Sequence, residues 1–153
     1  MDKNFDLYFE GQSENAKLIY TTGILWADIS ARLDKILAKV NLNISKFNIL
    51  MIIKHIGAKD GIQQNEISKR LLVTASNITK LLDKLENEGM ITRNEKKGDK
   101  RVKLIKITKN ASKLLDNIWT EYNSEIENIT KSINKKELKT LETMLFKWLK
   151  EIN

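Results

Sequence analysis

The block of residues 63–108 constrains the fold most, because its apolar spacing changes there from a helical period to a strand period. Residues 64–71 have the pattern of a short helix, with Ile67 and Leu71 facing inward. Residues 74–88 have the pattern of a second helix. Its inward residues are Ile78, Leu81, Leu82 and Leu85. Only a tight turn separates the two helices, so we expect them to pack over one small core.

A β-hairpin is predicted directly after the second helix. Gly89 ends that helix, because glycine tolerates a left-handed backbone. Residues 90–95 and 101–107 have the composition of two strands, and residues 96–100 form a polar turn that contains Gly98. A helix, a tight turn, a helix and a hairpin, in this order, predict a winged helix-turn-helix. The fold class is therefore mainly α with a small β-hairpin.

Long N- and C-terminal helices are predicted on both sides of this block. Residues 14–40 carry one apolar stripe, and another begins at Ala111 and continues to Ile133. Asn134 and Glu137 have capping-box spacing at the start of the last helix. Three other helices are preceded by side chains that can cap them, namely Asn43, Thr74 and Thr108. The stripe after the hairpin spans more turns than one small domain can cover, so we expect the outer helices to bind a partner chain.

The stripes themselves are easily traced in the sequence. Their residues are Leu18, Leu25, Ile29, Leu33, Ile36 and Val40 in the first helix, Ala111, Leu115, Ile118, Tyr122, Ile126, Ile129 and Ile133 after the hairpin, and Leu138, Leu141, Leu145, Trp148 and Ile152 in the last helix.

The basic charge of the chain is concentrated in residues 69–109. The net charge is +7, from 27 Lys and Arg against 20 Asp and Glu. Residues 69–109 hold 12 basic and 5 acidic side chains, which leaves 15 of each in the rest of the chain. By itself a charge run is as consistent with a solvated face as with a binding surface. Within a winged helix-turn-helix, it is what an electrostatic footprint on nucleic-acid phosphates would look like.

Other classes of function lack the residues that they require. The chain has no cysteine and one histidine, His55, so thiolate metal sites and multi-histidine sites are not expected. It has no Walker or Rossmann glycine pattern and no paired carboxylates in a catalytic context. We therefore expect no enzyme activity, cofactor or metal. No apolar run approaches the roughly 18 residues of a membrane span, and residues 1–12 lack the features of a signal peptide, so a cytoplasmic location is expected.

The polar face of the second helix in the block is the first candidate for contact with bases. The outward and flanking residues are Ser76, Asn77, Thr79, Lys80 and Lys84. Hydroxyl, amide and ammonium groups near a helix N-terminus suit base edges and phosphates. Without the hairpin, an ordinary solvated surface would be an equally good interpretation. Asp83 repels phosphate, so we expect it to have a structural role, such as an ion pair with Arg101 or another base of the hairpin.

This block resembles the MarR family of transcription regulators. The resemblance is carried by QNEISKRL at residues 64–71, VTASNITKLLDKLENEGMI at 73–91, DKR at 99–101 and KLIKIT at 103–108. Residues 42–50 are similar to the family's second helix, and the outer helices match in pattern over roughly residues 14–152. Two positions depart from the family, because Leu72 and Ala111 stand where it often has glycine.

The resemblance implies one domain that forms a homodimer. Residues 42–108 would be the DNA-binding lobe, and residues 1–40 and 109–153 the helical dimerisation region. Two recognition helices would then lie about one DNA turn apart on a pseudo-palindromic double-stranded site. Ser76, Asn77, Thr79 and Lys80 would face the major groove, flanked by Lys84. Arg101 would enter or line the minor groove, oriented by Asp99, and Lys96, Lys97, Lys100 and Lys103 would contact phosphates.

The resemblance also implies a regulatory role that responds to small ligands. A small aromatic effector would bind between the dimerisation helices and the DNA-binding lobe, with Trp26 and Trp119 as candidate lining residues; as ordinary residues they would belong to the core or the dimer interface. The protein would act as a repressor of adjacent genes or of its own. Two alternatives stay open: a winged-helix module that binds a protein, and a non-specific architectural DNA-binding module.

Overall fold

The computed structural model describes residues 9–57, 60–71, 75–96 and 98–152. The elements within these ranges, in chain order, are α1 Glu14–Leu37, α2 Ile44–Ile56, α3 Gln64–Leu71, α4 Ala75–Asn87, β1 Ile91–Lys96, β2 Asp99–Ile107, α5 Lys109–Thr130 and α6 Lys135–Glu151. A short 3-10 helix, Ala38–Val40, follows α1. The order of elements confirms the predicted fold class.

The predicted helix caps are present wherever the structure describes them. The Asn43 side chain accepts a hydrogen bond from the Lys46 amide at 2.9 Å, and Thr108 accepts one from the Ala111 amide at 3.2 Å. Asn134 and Glu137 form a complete capping box at the start of α6. Each cap satisfies backbone donors that a helix N-terminus leaves without a partner. Thr74, the predicted cap of α4, lies outside the described residues, as does Leu72.

The hairpin is longer than the sequence predicts. β1 extends to Lys96 and β2 begins at Asp99, so the predicted turn of residues 96–100 was too wide. The strands are antiparallel, with Ile91 opposite Ile107 and a register shift after Glu95. Gly98 has a φ of +89°, which glycine adopts without strain and which lets the chain reverse over few residues.

A third backbone segment pairs with the hairpin, and the sequence analysis did not predict it. The amide and carbonyl of Ile62 exchange hydrogen bonds with Ile105 of β2, at 3.0 and 2.9 Å. Gly61, just before it, has a φ of +85°, and an added Cβ would lie 3.1 Å from the carbonyl oxygen of Ile105. The entrance to α3 is therefore fixed against the hairpin.

One apolar core lies beneath the helix-turn-helix and extends to the long helices. The fully buried large side chains are Leu37, Ile49, Leu50, Ile53, Ile67, Ile78, Leu82, Leu85, Ile91, Ile105 and Leu115. The residues predicted to face inward from α3 and α4 are all buried or packed against this core. Ala111, one of the two departures from the family, is buried within α5 and needs no glycine there.

The outer helices are covered only in part within one chain. In α5 the stripe is buried as far as Tyr122, whereas Ile126 is 36% exposed. The helix ends at Thr130, so the prediction that it continues through Ile133 was wrong. None of the described residues of α6 is buried. The exposed large apolar side chains on α1 and α6 are Leu18, Ile19, Tyr20, Leu25, Trp26, Leu138, Leu141, Met144, Leu145, Phe146 and Leu149, with Ile152 just after α6.

In the described part of the chain, no single helix has both the length and the apolar character needed to cross a membrane. Only α1 with its 3-10 extension and α2 meet that test as a pair, and they are bent by 71°.

Candidate nucleic-acid interface

Helix α4 places one side in the core and the other in solvent. Ile78, Leu82 and Leu85 are fully buried, which fixes the rotation of the helix about its axis. That rotation leaves four of the predicted contact residues exposed, namely Asn77, Thr79, Lys80 and Lys84. The side chain of Ser76, the fifth, lies outside the described part of the structure. The helix therefore presents amide, hydroxyl and ammonium groups on one accessible face.

The N-terminal half of α4 is joined to α3 by a side-chain hydrogen bond. The amide nitrogen Nε2 of Gln64 donates to the hydroxyl of Thr79 at 2.7 Å. Gln64 is the first residue of α3, so the bond holds the start of one helix against the exposed face of the next. The sequence analysis did not single out Gln64, because a glutamine at a helix N-terminus carries no signal for a partner 15 residues away.

The hairpin is tied to α4 by Arg93 of β1. Its guanidinium lies 2.7 Å from the Asp83 carboxylate and 2.6 Å from that of Glu86. The expected structural role of Asp83 is thereby confirmed, with Arg93 as the hairpin base. The side chain of Arg101, the partner first named, lies outside the described part of the structure. Because both carboxylates are on α4, the ion pairs set the position of the hairpin relative to that helix.

The tip of the hairpin carries most of the predicted phosphate contacts. The side chains of Lys96, Lys97, Asp99, Lys100 and Arg101 lie outside the described part of the structure, so the expected orientation of Arg101 by Asp99 stays a prediction. Lys103 is described, and its ammonium lies 2.9 Å from the Glu95 carboxylate directly across the hairpin. Lys103 is exposed, so a phosphate could reach its ammonium group. The phosphate would then compete with the Glu95 carboxylate.

The two basic side chains at the end of α3 are engaged by one carboxylate. Arg70 and Lys69 bond to Glu66 at 2.9 and 3.2 Å. The hydrogen bond from Arg70, followed by that from Lys69, lowers the pKa of Glu66 below its ordinary value. Part of the basic charge counted in the sequence is thus balanced locally.

An ion pair between a buried lysine and a partly exposed glutamate holds the C-terminal end of α4. The ammonium of Lys46, on α2, is 2.7 and 2.8 Å from the two carboxylate oxygens of Glu88, and the Lys46 side chain is only 7% exposed. The sequence analysis missed this pair. A signal was present, because Lys46 precedes Leu50 and Ile53 by four and seven residues and so falls on the buried face of its helix.

The two tryptophans proposed for an effector site line different hollows. Trp26, which is 56% exposed, borders a hollow of about 480 Å³ between α1, α2 and the helix-turn-helix. Trp119 borders a smaller one of about 260 Å³ beside His55. Trp119 also stacks on the Phe47–Tyr122 pair, with a centroid distance of 6.4 Å to Phe47. Of these two hollows, as the described residues line them, the Trp26 hollow is the one that reaches the exposed face of α4.

The aromatic cluster beneath Trp119 contains a perturbed phenol. The rings of Tyr122 and Phe47 have centroids 4.4 Å apart. Burial of the hydroxyl, and second the nearby Asp34 carboxylate, raises the pKa of Tyr122 above its ordinary value. Across the described ranges, no group of three or more His, Cys, Asp or Glu side chains is arranged to hold a metal ion.

A helix-turn-helix with a paired hairpin beside its second helix, between long outer helices, defines the chain as a winged-helix protein. Residues 42–103 match the MarR family model. The chain is 26% identical over 132 residues to the HTH-type transcriptional regulator MhqR of Bacillus subtilis. The aligned residues make up 86% of this chain and 89% of MhqR. Residues 42–103 therefore form a winged helix-turn-helix of the MarR type, and the chain is similar to a MarR-type transcription regulator over most of its length.

Solved structures have the same fold. A MarR mutant from E. coli complexed with operator DNA superposes with a TM-score of 0.79 at 24% identity, over 86% of this chain and 93% of that one. CouR from Rhodococcus jostii, bound to p-coumaroyl-CoA, superposes with a TM-score of 0.72 at 20% identity, over 87% of this chain and 90% of that one.

Proposed function

We propose that the protein is a homodimeric, sequence-specific double-stranded DNA-binding regulator that represses adjacent genes or its own. The observation that carries the proposal is the exposed polar face of α4, which lies beside a hairpin rich in basic residues. Similarity to MhqR, and a fold shared with a MarR structure that contains operator DNA, support it.

In this proposal α4 enters the major groove. Asn77, Lys80 and Thr79 are exposed near its N-terminus, where the side chains of a recognition helix reach base edges. Residues 93–109 hold 8 basic and 2 acidic side chains, which would neutralise phosphates beside the groove. Arg101 would enter or line the minor groove. Affinity would then come largely from the hairpin, and base preference from α4.

The dimer is proposed from the apolar surface that one chain leaves in solvent. Leu145 on α6 is 51% exposed and Leu25 on α1 is 55% exposed, and both belong to the stripes of residues 109–153 and 1–40. An exposed apolar surface of this extent marks an interaction site. A twofold axis through these helices would place two copies of α4 on one face of the DNA, so the preferred site would be pseudo-palindromic.

A small aromatic ligand would relieve repression. The Trp26 hollow is the better candidate for its site, because it combines apolar walls with polar groups at the edge of α4. The hollow beside Trp119 is smaller and adjoins an aromatic cluster that packs within the core. The shared fold with CouR, whose structure contains p-coumaroyl-CoA, is consistent with a ligand-responsive regulator.

Fluorescence anisotropy with the duplex upstream of the protein's own gene tests the proposal. We expect tight binding to this duplex and much weaker binding to a shuffled duplex of equal composition, at two salt concentrations. Binding should weaken steeply as salt is raised, because phosphate contacts release counterions. Weak and equal binding to both duplexes would favour a non-specific architectural module. No binding at low salt would favour a module that binds a protein partner.

A further inference from the structure

One residue on the exposed face of α4 is bonded to α3. The amide nitrogen Nε2 of Gln64 donates to the hydroxyl oxygen of Thr79 at 2.7 Å. Among the exposed α4 residues proposed to contact DNA, Thr79 is the one whose side chain bonds to another helix within the described part of the chain. Thr79 would therefore enter the major groove with its hydroxyl oxygen already engaged.

Both helices that carry this hydrogen bond are fixed in rotation. Ile67, one turn after the start of α3, and Ile78, directly before Thr79, are fully buried. The start of α3 is held as well, because Ile62 exchanges two backbone hydrogen bonds with Ile105 of β2. The separation of the two bonded side chains is therefore set by the core and by the hairpin.

The branched side chain of Thr79 has a polar end and an apolar end. The hydroxyl oxygen and the methyl carbon are both bonded to Cβ, so one torsion angle, χ1, places both of them. The hydrogen bond from Gln64 fixes this angle and with it the position of the methyl group. The residue is exposed, and with its oxygen held by α3 the methyl is the group left to meet a base. In the major groove, a threonine methyl group suits the 5-methyl group of thymine.

We propose that Thr79 reads thymine through its methyl group, and that Gln64 is the positioning residue that presents this methyl to the groove. The inference rests on the proposed function, because it takes α4 to lie in the major groove. It differs from the simplest expectation for this threonine, which is a hydrogen bond from the hydroxyl to a base edge. A side chain that is fixed before binding loses little rotamer freedom when the complex forms. Each half-site should therefore contain a thymine whose 5-methyl group contributes to affinity.

Replacement of thymine by uracil tests the contact, because it removes only the 5-methyl group. Each thymine of a half-site, in a duplex selected from a random library, is replaced in turn, and anisotropy gives the apparent Kd. We expect one position at which the replacement weakens binding roughly three- to fivefold, about the worth of one buried methyl group. Thr79→Ser, which keeps the hydroxyl, should bind both duplexes equally. Thr79→Val, which keeps the methyl, should still prefer thymine, as should the control Lys84→Gln.

The possible results separate this inference from the proposed function. A preference for thymine over uracil that is as large in Thr79→Ser as in the wild-type protein would overturn the methyl contact. The same holds if Thr79→Val loses the preference, because the hydroxyl would then be the reading group. If the protein binds the selected duplex no better than a shuffled one, the proposed function fails, and the thymine contact fails with it.

The positioning role of Gln64 is measured on the protein without DNA. Three-bond NMR couplings to the Thr79 methyl group report its χ1 angle. We expect one angle in the wild-type protein and averaging over several in Gln64→Leu, which lacks the amide donor. Gln64→Glu should restore one angle, since a carboxylate can accept a hydrogen bond from the hydroxyl. Gln63→Leu is the matched control and should change nothing. Couplings in Gln64→Leu equal to those of the wild-type protein would overturn the positioning role.

Discussion

The guanidinium of Arg93, on β1, lies 2.7 Å from the carboxylate of Asp83, on α4, and joins the hairpin to the proposed recognition helix. Arg93 is 22% exposed and also bonds to Glu86. One side chain thereby aligns the two elements that would reach adjacent parts of a DNA duplex. The hairpin and α4 should therefore act as a unit in binding.

Arg93→Met should loosen this unit. We expect the free energy of unfolding to fall by up to about 1 kcal/mol, because two carboxylates of α4 lose a partly buried partner. DNA affinity should fall as well, although Arg93 itself need not touch DNA. Urea denaturation and anisotropy measure the two effects. Lys103→Met is the control for stability, because its pair with Glu95 is exposed on both sides, and a loss as large as that of Arg93→Met would contradict the role given to Arg93.

The pair between the buried Lys46 and the partly exposed Glu88 should contribute more to stability. Glu88→Gln leaves the Lys46 ammonium buried without a countercharge, so we expect a loss of about 1–3 kcal/mol in urea denaturation. The double variant Lys46→Met with Glu88→Gln should recover part of that loss, because it removes the buried charge. Lys46→Met alone completes the comparison. If the double variant lost the sum of the losses of the two single variants, the two side chains would not be coupled.

The raised pKa of Tyr122 predicts a stability loss at alkaline pH. The phenol keeps its proton in the folded chain at a pH where the unfolded chain has begun to release it. The stabilisation is therefore complete below the ordinary pKa of 10.0 and is lost as the pH rises from that value through the raised one. Tyr122→Phe should remove this part of the pH dependence and the last part of the tyrosinate absorbance titration. A loss of absorbance change around the ordinary pKa, with the alkaline end of the titration unaltered, would contradict the burial of the hydroxyl.

A charge placed on the apolar stripe of α6 should prevent dimerisation. Leu145→Glu would place a carboxylate in the proposed interface, so sedimentation equilibrium should report a monomer. The control is Thr143→Glu, which adds the same charge two residues away on the polar side of the helix and should leave a dimer. A dimer in Leu145→Glu would show that α6 does not form the interface.

Variants of α4 and of the hairpin should weaken DNA binding in different ways. Asn77→Ala should cost on the order of 1–3 kcal/mol on a specific duplex and relax the preference for particular bases, if the amide makes a good base contact. Arg101→Ala should weaken binding to most duplexes and flatten the salt dependence. Equal losses on specific and random DNA for both variants would contradict the assignment of base reading to α4.

The local structure followed closely from the sequence because local rules govern it. Gly89, at a φ of +69°, ends the segment that contains α4, and caps such as Asn134 lie where the pattern places them. The apolar spacing of α4 identified its buried face, with Ile78 and Leu82 fully buried. These features depend on neighbours within one or two turns, so a single sequence contains the information for them.

The contacts that join elements were harder to predict. Ile62 is a single paired residue in a connecting segment, so no strand periodicity marks it. The bond from Gln64 to Thr79 depends on the angle between two helices, which no spacing rule gives. The partner of Asp83 was predicted as Arg101 or another base of the hairpin, and the strand register decides that Arg93 reaches it.

Selection from a library of random duplexes tests sequence-specific reading by a dimer most directly. We predict enrichment of one inverted repeat whose half-sites lie roughly one helical turn, about 10 base pairs, apart. The Asn77→Ala variant should enrich the same spacing with a weaker preference inside each half-site. Enrichment of no motif, by a folded protein that still binds DNA in a salt-sensitive manner, would contradict sequence-specific regulation.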